Sequence, residues 1–406
     1  MPQSESPAGP GGELMPGVRR GTLPMMAAAC GVMVGNIYIC QPLLDAMAQS
    51  FGVPERVAGG VAVAAQLGYA LGILLVVPLA DMVAPRRLVR WLMAVTTLGL
   101  LGAAVVPVVG ALVVASAVIA AATVVPQILI PIGASMVPVQ RRGRVIGMLQ
   151  TGLILGILLS RTVSGAVATA AGSWRASYLF AAILTAILFL ALPAFMPAHV
   201  PASRRRSYPA LLASLPGLLA HRALRISAAL GFCIFGAFSA FWATLAFHLA
   251  TPHFGYGAAA VGLFGLWGAP GAVLAPMGGR LADRFGPDAI NAGALACVVA
   301  AFLVAGTAGS VSVIALVVAV NLLDFGMQSG QVANQVRIFG LGDDIRARLN
   351  TVYMVAVFSG GAFGSFVGVY AWSVAGWTGV CTLAGAFVAL GAIILAGTSL
   401  RPRISA

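Results

Sequence analysis

Residues 321–335 read NLLDFGMQSGQVANQ. They lie inside an apolar run from Val311 to Val336, long enough to cross a bilayer as a helix. Asn321, Asp324, Gln328, Gln331 and Gln335 recur every three or four residues, which stacks them on one face of that helix. The other faces are mostly Leu, Val, Ala, Phe, Met and Gly. One carboxyl and four amides on a single stripe are costly to place against lipid. They fit a stripe that faces water or a solute path inside a helix bundle. The alternative is that they only hydrogen-bond to neighbouring helices.

The rest of the chain has the same character. Of its 406 residues 60% are hydrophobic and 8% charged, against about 25% charged in a soluble protein. Mean hydropathy is +1.00. Apolar runs fall at about 22–44, 57–80, 88–108, 111–136, 146–169, 177–197, 226–250, 258–279, 289–308, 311–336, 350–373 and 378–399. None alternates with period two, so helices are expected and a strand barrel is not. Twelve spans put both termini on one side.

Formal net charge is +13, and every basic residue is arginine. With the N-terminus placed in the cytoplasm, twenty arginines fall in cytoplasmic tails, loops and helix ends. Arg56 and Arg175 fall on the opposite side, and Arg161 lies within a span. That asymmetry sets the orientation, with both termini cytoplasmic. It also accounts for the basic pI, so no nucleic-acid partner is expected. The five cysteines sit in apolar runs without metal-ligand spacing and read as packing residues. No catalytic cluster, nucleophile elbow or phosphate loop stands in a sensible context. An enzyme and an ATP-driven pump are therefore not expected, and no cofactor or metal is called for.

Residues 1–21, rich in Pro, Gly and Ser, read as a disordered cytoplasmic tail. Residues 22–197 read as a first six-helix bundle, 198–225 as a cytoplasmic linker, 226–399 as a second bundle and 400–406 as a tail. The linker carries ASRRRSYP and then ALLASLPGLLAHRALR, the latter suited to a short amphipathic helix on the membrane surface. The two halves look duplicated. Asp81 and Asp283 stand 202 positions apart, Arg144 and Arg348 204, Trp174 and Trp377 203. Duplicated halves with polar groups near the midplane form a transporter pattern. The fold expected is an all-α membrane protein, with twelve transmembrane helices in two pseudo-symmetric six-helix bundles around a central cavity.

With these features the chain resembles the major facilitator superfamily, and within it the twelve-span drug:proton antiporter-like branch. The sharpest local sign is the loop pattern G-x-x-x-D-R-x-G-R-R. The second copy keeps Gly279, Asp283, Arg284 and Gly286, and the first keeps Asp81 and Arg86. In the family this loop is a cytoplasmic latch between the halves, so the resemblance makes these six the candidate gate. Ordinary turn and capping chemistry is the other reading of Asp81 and Asp283. The antiporter pattern G-x-x-x-G-P-x-x-G-G in span five is kept at Gly152 and Gly156. It is lost where Ile157, Ser160 and Arg161 replace Pro and the paired Gly.

Gly152, Gly156, Ser160 and Ser164 in span five match Ala356, Gly360, Gly364 and Gly368 in span eleven at an offset of 204. Small residues four apart let helices approach closely. The matched ladders, with Gly152, Gly156, Gly360 and Gly364 at their centre, suggest a place where helices of the two halves move; static packing is the plainer reading. Arg161 is 17 residues from Arg144, roughly 25 Å along a helix at 1.5 Å per residue. It should meet Asp324, meet an anionic group of the solute, or snorkel to the outer headgroups. Asp324 is the one acid deep in a span. A carboxyl carried between a dry setting and an arginine can take up and release a proton as the halves rock. Asp324 and Arg161 are therefore the proton-coupling candidates.

Asn36, Tyr38 and Gln41 in span one, Gln66 and Tyr69 in span two, Thr123 and Gln127 in span four, and Phe238 and Trp242 in span seven complete a candidate cavity. Asn321, Gln328, Gln331 and Gln335 face them from span ten. Amides beside aromatic rings suit an amphipathic organic molecule, although each ring alone also suits packing. Pro126 and Pro131 should bend span four. The function expected is secondary transport of a small organic molecule across the cytoplasmic (inner) membrane by a monomer in the lipid bilayer. Proton-driven efflux is the first reading. Proton-coupled import of a solute, an anionic one included, and a non-transporting sensor with the transporter fold are the alternatives.

Overall fold

The computed structural model describes residues 21–196, 207–273 and 284–399. The two tails, most of the arginine-rich linker segment, and Gly279 and Asp283 of the candidate gate lie outside the described residues. Ten described helices are long and apolar enough to cross a membrane. The first seven are α1 Thr22–Phe51, α2 Glu55–Ala80, α3 Pro85–Val105, α4 Val109–Ser135, α5 Gln140–Ala171, α6 Trp174–Ala194 and α7 Arg222–Ala250. A shorter apolar helix, α8 Ala258–Gly271, follows. Then come α9 Pro287–Gly306, α10 Val313–Phe339 and one long run, Arg346–Gly397. That run is two helices, because the backbone leaves helical geometry at Ala375 and Gly376 (φ 57°, ψ −148°). Glycine alone takes that φ without a Cβ penalty, so residues 346–374 form α11 and 377–399 form α12. Among the described residues twelve apolar helices thus stand where twelve spans were expected.

Local breaks follow sequence. α4 is interrupted at Thr123 and Val124 and restarts with Pro126 in its first turn, where proline's missing N–H costs nothing. Pro131 stays within the second segment. The linker forms a helix at Tyr208–Ser214 and a 3₁₀ turn at Pro216–Ala220. It is tied to both halves. The Tyr208 hydroxyl donates to the Leu75 carbonyl at 2.8 Å, and Arg348 donates to Ser214 Oγ at 3.1 Å.

The small-residue ladders pack inside each half. A Cβ on Gly152 would meet the backbone of Ala27, and one on Gly156 the backbone of Gly31. Likewise Gly360 lies on Phe232 and Gly364 on Gly236. Gly152, Gly156, Gly360 and Gly364 therefore join helices of the same half, the static packing that was the plainer reading. Absence of side chains brings α1 onto α5 and α7 onto α11 within single bundles. The pairs 31/156 and 35/160 map onto 232/360 and 236/364 by adding 201 and 204, so the duplication seen in sequence is a duplication of contacts.

α7 runs through the middle: 94% of its most apolar window is buried, against 28% for α5. The halves meet through α2 on α11 and α5 on α8. Gly59 abuts Val369, and Gly165 abuts Ala258. The Trp372 indole N–H donates to the Glu55 carboxylate, and Thr162 Oγ1 donates to the Gly262 carbonyl at 2.8 Å. All four contacts lie in the half of the molecule away from the termini. At mid-depth Tyr69 and Phe358 touch, ring centroids 4.4 Å apart.

Candidate functional site

Arg161 is 1% exposed, so it does not snorkel. α1 loses α-helical form at Ile39 and Cys40 and turns through Gln41–Leu43, with Pro42 in the turn. Gln41 there accepts a hydrogen bond from Arg161 Nε at 2.7 Å. The guanidinium carbon lies 3.8 Å from the ring centre of Trp242, 4.9 Å from that of Tyr38 and 6.0 Å from that of Phe238. Aromatic faces and one amide thus replace water around a group that stays charged. Nη1 and Nη2 have no hydrogen-bond partner among the described residues.

Asp324 is 4% exposed, and its Oδ2 also lacks a partner. It reaches α8 at Gly268, where a Cβ would strike Oδ2. Three residues earlier, Gly265 faces the Arg161 side chain. A helix places positions three apart on one face. The same bare face of α8 therefore receives the arginine from α5 and the carboxyl from α10. The two charges do not form an ion pair in this conformation, yet each lies within the other's electrostatic reach.

Of the expected cavity residues, Tyr38, Gln41, Phe238 and Trp242 converge on Arg161. Gln66 is buried with Oε1 unpartnered. Tyr69 accepts from Gln127 Nε2 at 3.4 Å. Gln127, Gln328 and Gln331 are half-buried. Gln331 sits on a different face of α10 from the exposed apolar Ile314, Val318 and Val336, so it borders space within the protein. Gln331 lines a cavity of ≈ 10 Å³ with Phe235, Asn334 and Tyr353, room for about one water.

Four expected residues do other work. Asn36 Nδ2 donates to Thr185 Oγ1 at 3.2 Å, tying α1 to α6. The Thr123 hydroxyl returns to the Ala120 carbonyl at 2.8 Å. Asn321 repairs the interruption in α8 at Gly268: its Nδ2 donates to the Trp267 carbonyl at 2.8 Å and its Oδ1 accepts from Gly271 N at 3.0 Å. Gln335 donates to Asn350 at 3.2 Å, toward the end near the termini. Of the gate residues, Arg86 is half-buried in the first turn of α3. Asp81 ends a 3₁₀ turn, Val77–Asp81. Arg284 packs over Phe285 of its own segment, 5.1 Å from the ring centre. Gly286, with φ 83°, precedes α9.

The sequence reading passed over several elements. One is the glycine triplet Gly262, Gly265, Gly268, whose three-residue spacing was visible in VGLFGLWG. Another is the Glu55–Trp372 contact, which no local pattern announces. The third is Asn334, which exchanges two hydrogen bonds with Asn291, at 3.0 and 3.2 Å, and fastens α9 to α10. At the far end His248 stacks on Trp377 with ring centres 4.1 Å apart and its Nε2 3.1 Å from the Gly309 carbonyl.

A family model described as Major Facilitator Superfamily matches residues 26–339. The chain is 38% identical over 367 residues to the uncharacterized transporter YgaY of Escherichia coli O157:H7, covering 90% of this chain and 92% of that one. It is 38% identical over 408 residues to the probable transporter SCO4007 of Streptomyces coelicolor, covering 99% of this chain and 90% of that one. Among solved structures, the nucleoside transporter NupG superposes with a TM-score of 0.73 at 14% identity, over 93% of this chain and 98% of that one. The peptide transporter POT gives 0.72 at 17% identity, over 93% and 94%. At such identities the likeness is one of fold.

Proposed function

The chain belongs to the Major Facilitator Superfamily, and from that membership we propose a transporter that couples the movement of a small organic solute to protons through Asp324. The observation that carries this reading is the placement of Asp324 and Arg161. They are buried side by side against one face of α8, at the contact between the halves, unpaired and each with unpartnered atoms. A buried carboxylate without a direct partner is costly by several kcal/mol and is relieved by a proton or by an ion pair. Rocking of α5 on α8 and α10 changes which relief is at hand. Proton binding and conformation are then thermodynamically linked.

Arginine asymmetry supports placing both termini in the cytoplasm and the protein in the cytoplasmic membrane. The halves touch on the side away from the termini, so this conformation is closed to the outside. One chain carries both halves and the whole path, which suits a monomer. Export in exchange for protons is the direction that the antiporter-like branch suggests, and it has solute and proton compete for Asp324. Import with a proton has them bound together. The free Nη1 and Nη2 of Arg161 favour that second reading for an anionic solute.

A thermal-shift screen on the purified protein, followed by counterflow in proteoliposomes, identifies a transported ligand. Its uptake is then compared in everted and right-side-out vesicles under an imposed pH gradient. Proton dependence in the native protein that vanishes in Asp324→Asn supports the reading, and dependence unchanged in Asp324→Asn excludes it. Ligand binding without counterflow would make the protein a sensor.

A further inference from the structure

We infer that the solute is an organic monoanion, a carboxylate on a compact apolar or aromatic body, bound by Arg161 while Asp324 holds a proton. The inference rests on the proton-coupled reading above and adds to it the solute's charge and the sign of the coupling.

The binding edge is already arranged. Gln41 fixes the Nε end of Arg161, and the rings of Trp242 and Tyr38 hold the plane of the guanidinium. What remains unpartnered is Nη1 and Nη2, donors of the kind that hold a carboxylate through two parallel hydrogen bonds. Trp242 Nε1 is a third buried donor without a partner, on the ring that the guanidinium covers. The free groups around Arg161 are thus mainly donors, and donors call for an anion. A cation would meet a fixed positive charge in a dry site.

The sign of the coupling follows from counting charges. Arg161 from α5 and Tyr38 from α1 share a field with Asp324, and Cys40, from the turn that ends the first part of α1, shares one with Arg161. α7 presents Trp242 and Phe238, α8 its glycines, and α9 places Cys297 beside Gly326, two residues from Asp324. Without solute, Arg161 and ionised Asp324 balance. With a carboxylate on Arg161, ionised Asp324 would leave a net negative charge in a buried site. A proton on Asp324 removes it. Solute anion and proton therefore promote each other's binding, by equal amounts in each direction, and cross the membrane together.

The test uses the purified full-length chain and three probes of one shape: benzoate, benzamide and benzylammonium. Thermal stabilisation and calorimetric titration are followed above about pH 5.5, where benzoate is ionised. Benzoate is expected to bind, with benzamide and benzylammonium at least about tenfold weaker. Benzoate affinity should rise by up to about tenfold per pH unit on acidification, the limit for one linked proton. The slope should flatten in Asp324→Asn. Arg161→Gln should abolish benzoate binding. Arg161→Lys, which keeps the charge and so guards against a folding defect, should weaken it at least about tenfold. Benzylammonium or benzamide binding as well as benzoate, pH-independent benzoate binding, or no benzoate binding at about 10 mM would each overturn the inference. If benzoate fails while a proton gradient still drives another solute through the native protein and not through Asp324→Asn, the anion is rejected and the proton coupling stands.

Discussion

Arg161 and Asp324 set the energetics at the residue scale. Each is nearly dry, and each depends on the other's charge more than on any hydrogen bond between them. Removing one should cost more than removing both. Arg161→Gln leaves Asp324 without its nearby counter-charge and strips the cover from Trp242. A loss of about 2–4 kcal/mol is expected, visible as a lower unfolding temperature in detergent. Adding Asp324→Asn should return about 1–2 kcal/mol of it, and strictly additive losses would show that the charges do not interact. Both groups were legible as deep and charged because a span's length fixes depth. Gln41 as the partner was not, since the choice among several buried amides is made by tertiary contact. The stripe from Asn321 to Gln335 was read as one lining. A helix face keeps one direction but meets different neighbours along its length. Asn321 therefore serves α8, Asp324 the site, and Gln335 α11.

Among the elements, α8 and the α1–α5 pair carry the sharpest expectations. Asn321 satisfies the Gly271 N–H and the Trp267 carbonyl at the interruption of α8. Asn321→Ala leaves both unmet and should cost about 1–3 kcal/mol, with faster amide exchange confined to residues 267–272. In α5, Gly156→Val drives a side chain into the Gly31 backbone, and about 1–3 kcal/mol or outright misfolding is expected. Gly147→Ala in the same helix meets nothing within 4 Å and should be neutral or stabilising by up to about 1 kcal/mol. Equal effects at positions 147 and 156 would contradict the close packing described here. The ladders themselves were plain in the sequence. What they pack against was not, because a four-residue spacing of small side chains states that a neighbour is near without naming it.

At the scale of the whole molecule, the two halves came readily from the sequence. Arginine asymmetry, twelve apolar runs and three landmarks at nearly one offset are each set by the bilayer or by duplication, and neither needs tertiary detail. The conformation is a different matter. One sequence serves every state of a carrier, so nothing local could say that the halves meet away from the termini. Glu55 and Trp372 bridge the halves on that side. Trp372→Phe removes the donor and should shift the population toward an opening there, read as faster labelling of a cysteine that replaces the larger Val369, which abuts Gly59. Unchanged labelling would show that the contact does not hold the closure.

If protonation of Asp324 drives the exchange between conformations, the halves must move with pH in the absence of any solute. Ser50 and Ser373 are exposed at the far ends of α1 and α11, and spin labels there, on a background without the five native cysteines, report that motion by double electron–electron resonance. The account predicts a distance distribution that redistributes between about pH 5 and 8 and becomes independent of pH in Asp324→Asn. A pH response that survives intact in Asp324→Asn would contradict it.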